Sequence, residues 1–282
     1  MPKSFIRSSS IVAAMTFLSR ILGLVRDFVI ARYFGANGLT DAFLVAFRIP
    51  NFFRRLFAEG AFSQAFLPIL ADVKANKSDK EVQLVINHIA TKLLSILMII
   101  TLISVILAPM IIFLFAWGFY FNTDLTQFNL ASNMLRITFP YLLLISLTAL
   151  SGAILNTYDN FTVPAFTPVL LNISLILCAI YLSKFLSTPI MALAWGVLIG
   201  GILQLIFQIP FLRKLKKLPK IQFGHHKALS TLKKRMLPAL FGVSVSQINL
   251  LVDTMIASTL IAGSVSWLYY SDRLLELPLA LI

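Results

Sequence analysis

Apolar stretches of about 20 residues, each long enough to cross a hydrocarbon core about 30 Å thick, recur along the whole length of this chain. Coarse spans fall near 8–34, 41–71, 90–118, 130–156, 164–186, 189–212 and 237–262, and an eighth begins near 266. Short polar breaks separate them, most marked by Pro or Gly. Only 12% of residues are charged and mean hydropathy is +0.88, against roughly 25% charged in soluble proteins. In lipid every backbone polar group must be satisfied internally. The pattern therefore predicts an all-α, polytopic membrane helix bundle and excludes a soluble domain.

The net charge of +13 invites a nucleic-acid reading, which its distribution opposes. Nine of the 24 Lys and Arg residues lie between Arg213 and Arg235, with no acidic residue among them. Between two spans such a run reads as a cytoplasmic loop obeying the positive-inside bias, with contact to anionic lipid headgroups as a secondary effect. The partners expected are lipids and not nucleic acid. Lys3, Arg7, Lys74, Lys77, Lys80 and Lys92 fall on the same side, whereas the opposite side holds little beyond Arg32 and Lys184. That asymmetry predicts a cytoplasmic N-terminus. The N-terminal apolar stretch reads as a retained first helix, because Arg20 interrupts it and no small-residue cleavage site follows. The single cysteine, Cys178, lies in an apolar run and reads as packing. The chain stops at Ile282 inside a span that has just shown Asp272, Arg273 and Glu276, which suggests a piece of a longer protein.

The first two spans carry charges where lipid opposes them: Arg20, Arg26, Asp27, Asp41, Arg48, Arg54, Arg55 and Glu59. One ionisable group at the bilayer centre costs about 2.5 to 17 kcal/mol, so these side chains must face a protein-lined or watery cavity. At about 100° per residue, Arg20 and Asp27 lie about 20° apart on one helix face, with Gly23 on the same side. Asp41, Arg48, Arg55 and Glu59 share a stripe on the second helix unless Pro50 rotates it. Pro50 should kink that helix, and Asn51 could satisfy a freed carbonyl nearby. For Arg48 and Arg55 two readings stand, pairing with carboxylates and contact with substrate. For Arg20, Arg26 and Arg54 no nearby carboxylate absorbs all the charge, and Arg32 reads as snorkelling from a helix end. All the inward positive charges are Arg, whose fork matches phosphate oxygens in a way Lys does not. A cationic cavity of this kind suits an anionic substrate. Asp253, in the seventh span, could bind a cation, carry a proton or pair with an arginine from another helix. No metal-ligand spacing, Gly-rich phosphate loop or nucleophile elbow appears, so nothing points to an enzyme.

The run from Ser19 to Asp27 (SRILGLVRD) resembles the first helix of the MurJ/MviN lipid II flippase family. The resemblance continues through Thr40–Phe43 (TDAF), Pro50–Phe66 (PNFFRRLFAEGAFSQAF), Thr138–Tyr141 (TFPY), Gly152–Thr157 (GAILNT), Pro164–Phe166 (PAF) and Tyr270–Arg273 (YSDR). It implies a bacterial inner-membrane transporter of the multidrug/oligosaccharidyl-lipid/polysaccharide exporter superfamily, with fourteen helices in two six-helix lobes plus two. This chain would hold the first lobe (1–212), a basic cytoplasmic loop (213–236) and the start of the second lobe (237–282). The implied activity is alternating-access flipping of lipid II, the undecaprenyl-pyrophosphate-linked disaccharide-pentapeptide, for cell-wall synthesis. Another polyprenyl-pyrophosphate-linked oligosaccharide, or an enzyme acting on polyprenyl phosphates, stands as the alternative. By the same resemblance Arg20, Arg26, Asp27, Asp41, Arg54 and Arg273 match substrate-binding cavity positions, with Arg48, Arg55 and Glu59 as further cavity charges. Asp253 matches the carboxylate of a sodium site left incomplete here, and cell-wall synthesis machinery enters as a partner. Asp27 and Arg273 are expected to approach each other across the cavity.

Overall fold

A computed structural model describes residues 3–121, 124–224 and 226–281, without the side chains of 3–9, 57–59, 243–246 and 276–281. His225 and the side chains of Glu59 and Glu276 thus lie outside the described residues. Within them the chain is helical with no strand.

Helix α1 (Lys3–Phe34) runs 32 residues, about 48 Å at 1.5 Å per residue. Leu18, Val25 and Phe28 lie exposed along it, Phe17, Ile21 and Leu24 line the larger of two chambers among the helices, and Arg26, Asp27 and Ile30 turn inward. Gly35, with φ of 71°, ends the helix in the left-handed region. Asn37 opens α2 (Gly38–Phe53) by accepting from the backbone N–H of Leu39 at 3.0 Å and Thr40 at 3.1 Å. Residues Thr40–Phe47 of α2 are nearly all buried, and they centre the first core with Phe139, Tyr141 and Leu142.

The second span continues unbroken from Gly38 to Asn76, but not as a regular α-helix. It widens to a π-helix over Arg54–Phe62 before α3 (Ser63–Asn76). Pro50 cannot donate to the Ala46 carbonyl, and that carbonyl instead accepts the Thr138 hydroxyl at 2.9 Å. Asn51, the residue expected to satisfy it, accepts from Arg54 Nε at 3.1 Å. A partner on another helix thus absorbs the proline defect, and the irregularity falls just C-terminal to it.

The third span is α4 (Asp79–Ile106), capped by Ser78 and eleven residues earlier than the sequence suggests. The apolar run beyond it breaks into the short helices α5 (Ala108–Phe115), with Pro109 in its permissive first turn, and α6 (Gly118–Phe121). Helices α7 (Thr126–Thr138) and α8 (Tyr141–Thr157) meet at Pro140 and form the fourth span. The fifth and sixth are α9 (Thr162–Ile180) and α10 (Met191–Lys214). Here Gly200 and Gly201 let the backbones approach closely: a Cβ at Gly201 would stand 2.7 Å from the Tyr141 ring. Helix α11 (Lys227–Ser258) bends by 51° between Lys227–Gly242 and Gln247–Ser258, and α12 (Ser264–Leu281) comes last.

One end of the bundle gathers the basic connections. Lys74 Nζ donates to the Thr157 carbonyl at 2.6 Å, and buried Lys217 pairs with Asp79. Gln83, Asn87 and Thr91, four residues apart on α4, bond Leu218, Lys220 and Gln222 of the α10–α11 connection. The segment 213–236, expected as one loop, is non-helical only between about 215 and 226. Arg213 and Lys214 end α10, while Lys227 to Arg235 form the first turns of α11. A helix that emerges beyond an apolar region carries its charges outward without unwinding, and hydropathy alone cannot mark that end.

Candidate cationic cavity

Two adjoining chambers open among these helices, of about 750 Å³ and about 370 Å³, and Arg26, Arg54, Leu171 and Arg273 border both. Arg20 and Asp27 line the larger, whereas Arg48, Arg55 and Asp272 line the smaller. Among the described residues six arginines therefore face two carboxylates, and no lysine borders either chamber.

At the junction Asp27 is shared by two arginines. Arg26 donates to Asp27 Oδ1 from Nε at 2.9 Å and from Nη2 at 2.7 Å. Arg273 Nε lies 3.3 Å from Asp27 Oδ2, so the approach expected across the cavity is present. Tyr269 on α12 closes the group. Its hydroxyl donates to Asp27 Oδ1 at 2.9 Å and accepts from Arg26 Nη2 at 3.1 Å, and the Arg273 guanidinium stacks 5.5 Å from the ring centroid. Asn172 on α9 accepts from Arg26 Nη1 at 3.0 Å and donates to the Ser19 carbonyl. Arg26 and Asp27 are both more than nine-tenths buried, so the pair is worth having only because its hydrogen bonds are met. This amends the sequence reading of Arg26: Asp27, Asn172 and Tyr269 occupy its fork here. Arg20 is exposed, and Arg54 and Arg273 are half-buried at the cavity surface.

Arg48 donates to the Thr254 hydroxyl at 2.5 Å and approaches Asp272 at 3.8 Å, which joins α2 to α11 and α12. For Arg48 the structure thus provides the pairing partner, whereas Arg54 and Arg55, in the π segment, both border the smaller chamber.

Asp41 is the residue misplaced by sequence. It borders neither chamber. Its carboxylate, 2% exposed, accepts from the Gly263 N–H at 2.6 Å, the Ser266 N–H at 2.8 Å and the Ser266 hydroxyl at 2.5 Å. It caps the N-terminus of α12, where a helix offers unpaired donors and a positive dipole end. Arg48 and Arg55, further along α2 and into the π segment, border the smaller chamber with Asp272, whereas Asp41 stands at the opposite end of α2, against the start of α12. Tyr269 and Asn172 were missed, since a lone tyrosine or asparagine in an apolar run carries no charge signal. Asp253 is exposed on α11. No group of three or more His, Cys, Asp or Glu side chains gathers among the described residues.

A profile of the family described as "Lipid II flippase MurJ" matches residues 30–282. The chain is 49% identical over 273 residues to the "Probable lipid II flippase MurJ" of Haemophilus influenzae, covering 95% of this chain and 54% of that protein. It is 45% identical over 276 residues to the "Lipid II flippase MurJ" of Burkholderia cenocepacia, covering 96% and 53%. A solved structure of "Lipid II flippase MurJ, inward closed conformation" superposes with a TM-score of 0.80 at 34% identity, over 95% of this chain and 54% of that one. The chain spans about half the length of the curated relatives it matches.

Proposed function

This chain belongs to the lipid II flippase MurJ family, and from that membership we propose that it forms the first lobe and lobe junction of a transporter that moves lipid II across the bacterial inner membrane. The observation that carries the reading is the arginine-lined cavity, six guanidinium groups against two carboxylates among the described residues. Guanidinium forks hold two oxygens of a pyrophosphate at once. The cavity would receive the pyrophosphate and the polar head while the polyprenyl tail stays in lipid. The protein acts as a transporter, and its residues bind and release without breaking bonds.

Asp27 gives the cavity its exchange partner. With no anion bound it neutralises part of the charge of Arg26 on α1 and of Arg273 on α12, and so ties the two lobes together. A pyrophosphate entering beside Arg20 and Arg54 competes with Asp27 for the Arg273 fork. Substrate binding thereby loosens one inter-lobe bond, and rocking of the lobes moves the opening from one face to the other. The N-terminus and the basic connections lie on the cytoplasmic side in this proposal, by the positive-inside bias. Asp253 is a candidate carboxylate for a coupling cation, and no step above runs through one.

The test is reconstitution of the full-length protein in vesicles with fluorescent lipid II. The proposal expects the label in the inner leaflet to become accessible to an external quencher, faster than in protein-free vesicles. Equal rates with and without protein would overturn it.

A further inference from the structure

Two arginines share Asp27, and the structure holds them unequally. Arg26 is bound closely on every side. Its Nε and Nη2 donate to Asp27 Oδ1 at 2.9 and 2.7 Å, Nη2 donates again to the Tyr269 hydroxyl at 3.1 Å, and Nη1 donates to Asn172 at 3.0 Å. Arg273 meets Asp27 and Tyr269 through one nitrogen, Nε, whose single proton is divided between Oδ2 at 3.3 Å and the hydroxyl at 3.4 Å. The Arg273 side chain is 38% exposed, against 8% for Arg26, and it borders both chambers. An anion in the cavity can therefore reach Arg273 and draw it away while Arg26 stays in place.

Tyr269 enters this exchange through its hydroxyl. A carboxylate can only accept and a guanidinium can only donate. The hydroxyl proton must therefore go to Asp27 Oδ1, at 2.9 Å, while the oxygen lone pairs face the two arginines. When Arg273 leaves, Asp27 loses its contact on Oδ2, and its charge rests on Arg26 and the Tyr269 proton. A buried carboxylate short of donors is costly, so the hydroxyl counts for more after Arg273 has left than before.

We propose that Tyr269 is a positioning residue for pyrophosphate binding: its hydroxyl steadies Asp27 and Arg26 so that Arg273 can exchange Asp27 for a pyrophosphate oxygen. The inference rests on the flippase reading and deepens it by naming the residue that sets how readily this exchange occurs. Tyr269 acts through Asp27 and Arg273, without touching the substrate.

The test titrates the full-length protein with undecaprenyl pyrophosphate, a probe that carries the pyrophosphate without the sugar–peptide head, and reads affinity on the folded fraction. Tyr269→Phe keeps the ring beside Arg273 and removes only the hydroxyl. It should weaken binding about tenfold, the loss of one charge-assisted hydrogen bond that matters most in the bound state. In an Arg273→Ala background nothing is left to exchange, and the same substitution should change affinity by less than about twofold. A merely structural role would not depend on Arg273. A similar loss in both backgrounds therefore overturns the proposal, as does wild-type affinity in Tyr269→Phe, and either result leaves the pyrophosphate reading standing. Arg273→Ala alone should itself weaken binding; unchanged affinity there defeats the pyrophosphate reading at Arg273, and the exchange falls with it.

Discussion

Asp41→Ala separates a capping carboxylate from a substrate ligand. The native carboxylate accepts three hydrogen bonds at 2.5 to 2.8 Å from the start of α12 while 2% exposed. A hydrogen bond to a charged group is worth about 1.5–3 kcal/mol net, and a helix N-terminus adds up to about 2 kcal/mol in a partly buried setting. Desolvation of the carboxylate opposes these terms, so removal should cost about 2–4 kcal/mol, the cost of leaving the Gly263 and Ser266 N–H groups unmet. Asp41→Asn should cost less, because one oxygen stays as an acceptor while the amide nitrogen meets the Gly263 N–H as donor against donor. In thermal unfolding of the full-length protein, Asp41→Ala should lower the midpoint on the order of 5–10 °C, with Asp41→Asn between it and the wild type. A cysteine at Ala262, beside the freed turn, should become more reactive in both. Affinity of the folded protein for lipid II should stay within about twofold of wild type, about 0.4 kcal/mol. Unchanged stability together with a tenfold loss of affinity would refute the capping account and return Asp41 to the cavity.

Gly118→Ala places a Cβ 2.0 Å from the Ser258 carbonyl oxygen, a backbone atom that cannot step aside, so it should destabilise the protein by more than about 2 kcal/mol. Gly38→Ala meets only the movable end of Gln127 and should cost under about 1 kcal/mol, and the two melting curves compare them directly. Outside the spans, the hydroxyl and then the backbone N–H of Thr126 hold the Asp124 carboxyl below its ordinary 3.8. Its contribution is therefore full above the unfolded pKa and is lost as pH falls through the lower folded value. Thr126→Val should move that titration upward, as read by carboxyl NMR shifts. Single cysteines at Lys216 and Ala262 should react with an impermeant thiol reagent from opposite sides, and labelling of both in intact spheroplasts would contradict the topology.

The spans between Gly38 and Lys214 were legible because burial in lipid writes itself as hydropathy; α1 and α12, read as spans too, are not among the described helices long and apolar enough to cross. The arginine clusters were legible because charge inside a span has few explanations. Three things were not. The ends of α4 and α11 extend beyond the apolar run, where capping by Ser78 and His226 decides and hydropathy is silent. The π segment after Pro50 carries no hydropathy signal, and the Ala46 carbonyl that Pro50 leaves free is met by Thr138, 92 residues away in sequence. Asp41 reads as a cavity charge in any one-helix projection, because the helix it caps begins more than 200 residues later. Asn172 and Tyr269 drew no notice for the same reason: an uncharged polar side chain gains meaning only from its neighbours.

The central claim, that guanidinium geometry and not positive charge alone receives the pyrophosphate, is tested most directly by the double variant Arg20→Lys/Arg54→Lys in the full-length protein. Both residues border the larger chamber, and the substitutions leave its net charge unchanged. Affinity for lipid II in vesicles should fall by about ten- to a hundredfold, the loss of one charge-assisted hydrogen bond, with the thermal midpoint close to wild type. Wild-type affinity in the double lysine variant would show that charge alone suffices and would contradict the account.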